Sequence, residues 1–112
     1  MKKNKGMQFL DYMIPVLEVL KENGGAGNAS EVIDKVIDRL NIPEDVVSKT
    51  NSSGQSTVKN RIQWARFYLV KAGFINSQTR GEWKLTQAGF AVKLTREEVY
   101  KLFREVHKKW NG

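Results

Sequence analysis

The sequence predicts a mainly α domain with one small β-hairpin, in the order helix, helix, helix, hairpin, helix, helix. Three observations carry that reading. Apolar residues recur at helical spacing in several segments, most clearly Val58, Ile62, Ala65 and Leu69. Directly after Gly73, two short runs, Phe74-Ile75-Asn76-Ser77 and Glu82-Trp83-Lys84-Leu85, flank the turn residues Gln78-Thr79-Arg80-Gly81. Three helices and a hairpin cannot each bury an apolar face separately, so they share one core. A third helix followed at once by a hairpin is the arrangement of a winged helix-turn-helix domain, here with an extra C-terminal helix.

The totals exclude several classes. A chain of 112 residues fits one domain with a modest core. The sequence has no cysteine, which excludes disulfides and cysteine-based zinc sites, and the single histidine, His107, excludes His-rich metal sites. No apolar run is long enough to span a bilayer. The basic start, Met-Lys-Lys-Asn-Lys-Gly-Met, is not followed by a signal-peptide apolar region, so a cytoplasmic protein is expected.

Residues 1–7 read as a flexible arm, 8–94 as the winged-helix domain and 95–112 as an amphipathic helix. The first helix covers about residues 8–23, with Phe9, Leu10, Met13, Ile14, Leu17 and Leu20 on a broad apolar face. Pro15 fits the first turn if Asp11 is the N-cap, and a kink follows if the helix starts earlier. Gly24-Gly25 ends it. In the second helix Asn28 and Glu31 form a capping-box variant ahead of the stripe Val32, Ile33, Val36, Ile37, Leu40, and Asn41 closes it. Pro43-Glu44-Asp45 suggests a short turn through about Val47, with Pro43 at its first position. The polar stretch 48–56 is a connector or a lead into a helix N-terminus suited to phosphate.

The third helix spans about residues 57–72. Val58, Ile62, Ala65, Leu69 and Ala72 form its packing face, flanked by Tyr68, while Lys59, Asn60, Gln63, Phe67 and Lys71 take the opposite arc with Arg66 at its border. Trp64 lies between the arcs and is assigned to packing. Arg61 falls near the buried border, able to brace the fold or to touch phosphate. After the hairpin, Thr86 caps a short helix to about residue 93, and Thr95 with Glu98 makes a capping box for a helix to about residue 109. The stripe Val99, Leu102, Phe103, Val106 and Trp110 on that last helix either packs back on the domain or meets another chain.

Charge is one-sided. Between Val46 and Arg96 nine basic residues face one acid, Glu82, a balance of +8; the remaining ten basic and eleven acidic residues leave −1. A polyanion partner leaves this footprint, although a basic solvated surface does so equally.

Two runs carry a family resemblance. Asn60-Arg61-Ile62-Gln63-Trp64-Ala65-Arg66-Phe67-Tyr68-Leu69 with Lys71-Ala72-Gly73, and Arg80-Gly81-Glu82-Trp83-Lys84-Leu85-Thr86-Gln87-Ala88-Gly89, resemble the N-terminal domain of Mrr-type restriction proteins. Met13-Ile14-Pro15-Val16-Leu17 is similar to that family's first helix, and the resemblance covers about residues 8–93. It implies a winged-helix DNA-binding module, usually attached to a nuclease domain that cuts modified DNA. The clustered acids and lysine of such a nuclease are missing. The lone Glu82-Trp83-Lys84 triplet is better explained by strand alternation, so no catalytic residue, metal or cofactor is expected, and the last helix fits a linker to a further nuclease domain or a self-association element.

The expected partner is therefore double-stranded DNA, methylated or not. Lys59, Asn60 and Gln63 are the candidates for base edges in the major groove. Ser56, Thr57, Arg66 and Lys71 are the candidates for phosphates, Phe67 for a base methyl group, and Gln78, Thr79, Arg80 and Lys84 for the wing's contact with the backbone. A protein-interaction module and a duplex RNA binder are the rival readings.

Overall fold

The computed structural model describes residues 8–111; the expected arm over 1–7 lies outside them, as do the side chains of Trp110 and Asn111. A single 3-10 turn, Phe9–Tyr12, leads into α1 (Met13–Glu22). Then follow β1 (Ala26–Asn28), α2 (Ala29–Arg39), the one-turn α3 (Glu44–Val47) and α4 (Thr57–Lys71). The wing is β2 (Ile75–Asn76) and β3 (Glu82–Leu85), after which come α5 (Gln87–Ala91) and α6 (Arg96–Asn111). The expected mainly α architecture with a small hairpin is present, with one strand more than anticipated. The sheet has three antiparallel strands in the order β1-β3-β2, with Gly27 opposite Trp83 and Ile75 opposite Leu85.

α1 is the axis of the core. Met13, Val16, Leu17, Val19 and Leu20 are buried around nearly its whole circumference, because α2, α4 and β3 all pack on it. Asp11 is not its N-cap. Tyr12 holds that position, and the Asp11 carboxylate instead accepts the Gln8 N–H at 2.8 Å and pairs with Arg96 at 3.1 Å. The 3-10 turn separates Asp11 from α1, which puts Pro15 third in the helix. There a missing N–H costs nothing.

Three helices stop by one mechanism. At the end of α1, Gly24 N–H reaches Lys21 O at 3.1 Å and Gly25 N–H reaches Leu20 O at 2.7 Å. Asn41 and Ile42 repeat this on α2, and Gly73 and Phe74 on α4. These are Schellman motifs, which need a residue at positive φ just past the helix. Gly24, Gly73 and Asn41 (φ 53°) supply it. Pro43 sits one residue earlier than expected, as the N-cap of α3.

The α6 stripe packs back on its own domain. Val99, Leu102 and Val106 are buried, and Phe103 stacks on Tyr68 with centroids 5.4 Å apart. Of the stripe expected to serve self-association, Val99, Leu102 and Val106 are thus buried in this core and Phe103 is half-buried, while Trp110's side chain lies outside the described residues. No helix among the described residues is long and apolar enough to cross a membrane.

Candidate nucleic-acid interface

The site is built on the N-terminal half of α4. Ser56 is its N-cap: its hydroxyl oxygen accepts the Lys59 N–H at 3.2 Å and donates to Val47 O at 2.7 Å. Thr57 N–H bonds Lys49 O at 3.1 Å, tying the helix start to the preceding turn. The polar stretch before it is an ordered loop. Asn51 Oδ1 accepts from Ser53 N, Ser53 Oγ and Gln55 N between 2.7 and 3.1 Å, and Asn51 N–H bonds Gln55 O. Ser56 and Thr57 therefore already take part in fixing the start of α4, from which Lys59 and Gln63 project into solvent.

Val58, Ile62, Ala65 and Leu69 face the core as expected, with Tyr68 buried beside them. Trp64 does not. It is 42% exposed, and the assignment to packing is corrected. A helix turns about 100° per residue, so Trp64, two residues past Ile62, lies about 200° round from it and points away from the core. Phe67 is half-buried and meets the Trp64 ring edge-on at 5.4 Å. Arg61, half-buried, lies close enough to Tyr12 for its charge to lower that phenol's pKa against the larger upward effect of burial. This is the bracing alternative.

These side chains enclose an open groove of about 510 Å³, lined by Gln55, Ser56, Lys59, Asn60, Gln63, Trp64, Arg66 and Phe67. Asn60 Nδ2 donates to Gln55 Oε1 at 3.1 Å across one end. Lys59 and Gln63 are exposed on its rim. Arg66 forms the inner wall. Its guanidinium lies 5.6 Å from the centroid of the buried Trp83 ring, and its Nε, buried, has no hydrogen-bond partner. Burial lowers the Arg66 pKa from its ordinary value, but not enough to discharge an arginine.

The groove gathers six of the twelve candidate residues, Ser56, Lys59, Asn60, Gln63, Arg66 and Phe67. Thr57 sits at its head. Lys71 lies two turns on, its ammonium 5.3 Å from the Phe67 centroid. Gln78, Thr79, Arg80 and Lys84 stand exposed on the wing and do not line the groove. The contact of Arg66 with Trp83 joins the two surfaces. Sequence reasoning missed Gln55 and Trp64: only the folded loop brings Gln55 back over α4, whereas the angular position of Trp64 could have revealed it.

Charge sorts by surface. The acids of α1 pair with Arg39, Glu18 at 3.1 Å and Glu22 at 2.6 Å. Among the described residues Lys59, Arg80 and Lys84 join no ion pair, so their field faces solvent. Glu82 and Lys84 belong to β3, where Trp83 and Leu85 alternate inward, and no group of three or more metal-capable side chains occurs among the described residues.

A helical domain with a hairpin wing and a basic groove on the helix before it defines a winged-helix module. A family model described as the Mrr N-terminal domain matches residues 9–95. The chain belongs to that family. It is also 37% identical over 79 residues to the Type IV methyl-directed restriction enzyme EcoKMrr of Escherichia coli strain K12. That match covers 70% of this chain and 26% of the relative. No solved structure matches the chain significantly.

Proposed function

We propose that this chain is a sequence- or modification-sensitive double-stranded DNA-binding module of a restriction-type protein, itself without catalysis. α4 enters the major groove, Lys59, Asn60 and Gln63 meet base edges, and Arg66 and Lys71 meet phosphates. Ser56 and Thr57 hold the helix start at the backbone. The wing residues Gln78, Thr79, Arg80 and Lys84 run along the adjacent backbone. The observation that carries this reading is the open groove on α4 with Lys59 and Gln63 on its rim and no acid in its lining. The relative's description as methyl-directed extends it: a methyl group in the major groove would meet the Phe67 ring. Catalysis would belong to another part of a longer restriction protein, and the place of work would be the nucleoid.

The test is a double substitution, Lys59→Ala with Gln63→Ala. Both side chains are exposed, so thermal unfolding should hold within about 2 °C. Affinity for duplex DNA should drop by roughly tenfold or more, and the salt dependence should flatten by about one counterion. Unchanged binding would remove α4 from the groove.

A second reading has its own observation. A larger groove of about 750 Å³ lies between the end of α4 and α6, with Phe74, Val92, Leu94 and Leu102 on its floor and Lys101, Glu105 and Lys109 on its rim. It suits a protein-docking role. Apolar docking should hardly respond to salt, whereas DNA affinity should fall steeply.

A further inference from the structure

Three features of the α4 groove are not explained by a helix that reads only paired base edges. The first is Trp64, an indole left 42% exposed beside basic and amide side chains. The second is how it is held, with the half-buried Phe67 edge-on to it at 5.4 Å. The third is Arg66, a half-buried arginine in the same groove wall whose guanidinium lies against the Trp83 ring.

Chemically, an exposed indole offers a flat apolar face, Arg66 offers N–H donors in a plane, and Gln63 offers a donor and an acceptor. The ligand complementary to this set is itself flat, apolar on its faces and rich in acceptors at its edge. A nucleobase has these properties. A base within an intact duplex shows the major groove only its edge, since its faces are covered by its neighbours. Stacking on Trp64 therefore requires a base that has left the stack.

We propose that the groove between Trp64, Phe67 and Arg66 receives an unstacked nucleobase, so that the domain prefers duplexes with an unpaired or easily extruded base to fully paired ones. This rests on the DNA-binding reading above and adds a ligand to the same site. Trp64 stacks on the base, Phe67 fixes the indole, the exposed Gln63 amide meets the base edge, and Arg66 walls the pocket. Lys59 remains outside, exposed on the groove rim. The same stack serves any of the four bases, because each has a π face; preference among them comes from the edge contacts.

The experiment compares two duplexes of one sequence, one fully paired and one with a single unpaired base at its centre. Binding is measured by fluorescence anisotropy for the wild-type domain, Trp64→Ala and Trp64→Phe. The wild type should favour the unpaired duplex by about tenfold, within the range that one base–aromatic stack supplies. Trp64→Ala should lose that preference while binding the paired duplex within about twofold of the wild type, and Trp64→Phe should retain most of it. Thermal unfolding of each variant confirms the fold. Equal wild-type affinity for the two duplexes overturns the proposal and leaves the DNA-binding reading standing. So does a preference that survives in Trp64→Ala. If the wild type binds neither duplex, both readings fall together.

Discussion

Replacing each tryptophan of the α4–wing region by alanine separates a core residue from a surface one. Trp83 is 4% exposed on β3, faces α1 and α4, and supports the Arg66 guanidinium at 5.6 Å. Truncating a buried Trp to Ala costs about 3–5 kcal/mol, since transfer energy and cavity cost add. Here the lost ring also leaves Arg66 half-buried above a void, which places the expected loss near the top, about 5 kcal/mol. Domains of this size are stable by about 5–15 kcal/mol in all. At about 4 °C per kcal/mol, Trp83→Ala should melt about 20 °C lower, or fail to fold in the least stable case. Trp64→Ala should behave differently. It gives up the edge-on contact with Phe67 and a partly solvated surface, for about 1 kcal/mol and about 4 °C. Far-UV circular dichroism during heating, with urea titration at 25 °C, measures both. If Trp64→Ala loses as much stability as Trp83→Ala, then Trp64 is core and the groove on α4 does not exist in solution.

Two further outcomes follow from the packing. Gly89→Ala should destabilise by about 2 kcal/mol in spite of alanine's better helix propensity, because a Cβ there runs into the Phe74 carbonyl and meets Leu85 Cδ2 at 3.1 Å; a more stable variant in urea titration would show that α5 does not sit tightly on the strand entry. Burial raises the phenol pKa of Tyr12 and of Tyr68. A raised folded value keeps its full stabilisation below the unfolded tyrosine value of about 10 and loses it as pH rises toward the folded one. Stability should therefore fall above about pH 10, and Tyr12→Phe should make that fall shallower in urea midpoints measured from pH 8 to 11.

What the sequence revealed was mostly local. Asn28, Thr86 and Thr95 are legible as caps because their partners, Ser30, Gly89 and Glu98, lie within three residues. Asn41 and Gly73 are legible as helix ends for the same reason. β1 was not legible: Ala26-Gly27-Asn28 has neither alternation nor β-branched residues and becomes a strand only by pairing with β3, more than fifty residues away. Gly27 itself is needed there, since a Cβ would come within 2.7 Å of Val32 Cγ2. The site divides in the same way. Lys59 and Gln63 follow from helical phase, whereas Gln55 enters the groove only through the Asn51 turn, and the partner of Arg66 lies on another element.

The weak amphipathicity of α4 has a cause in this division of labour. An ordinary surface helix has one apolar stripe and one polar face, but α4 carries apolar rings on both. Val58, Ile62, Ala65 and Leu69 anchor it to α1, while Phe67 and Trp64 are turned to the other side. Phe67 bridges the two, touching Trp64 at 5.4 Å and the buried Tyr68 at 5.8 Å, and Tyr68 in turn stacks on Phe103 of α6. A ring on the groove side is thus held through a continuous aromatic chain by a helix outside the three-helix-and-wing unit. It follows that α6 supports the groove although none of its residues lines it. Phe103→Ala should loosen Phe67 and weaken the proposed ligand selection more than it weakens the salt-dependent part of binding proposed for the wing. A loss confined to stability, with selection intact in the folded fraction, would show that α6 merely covers the core.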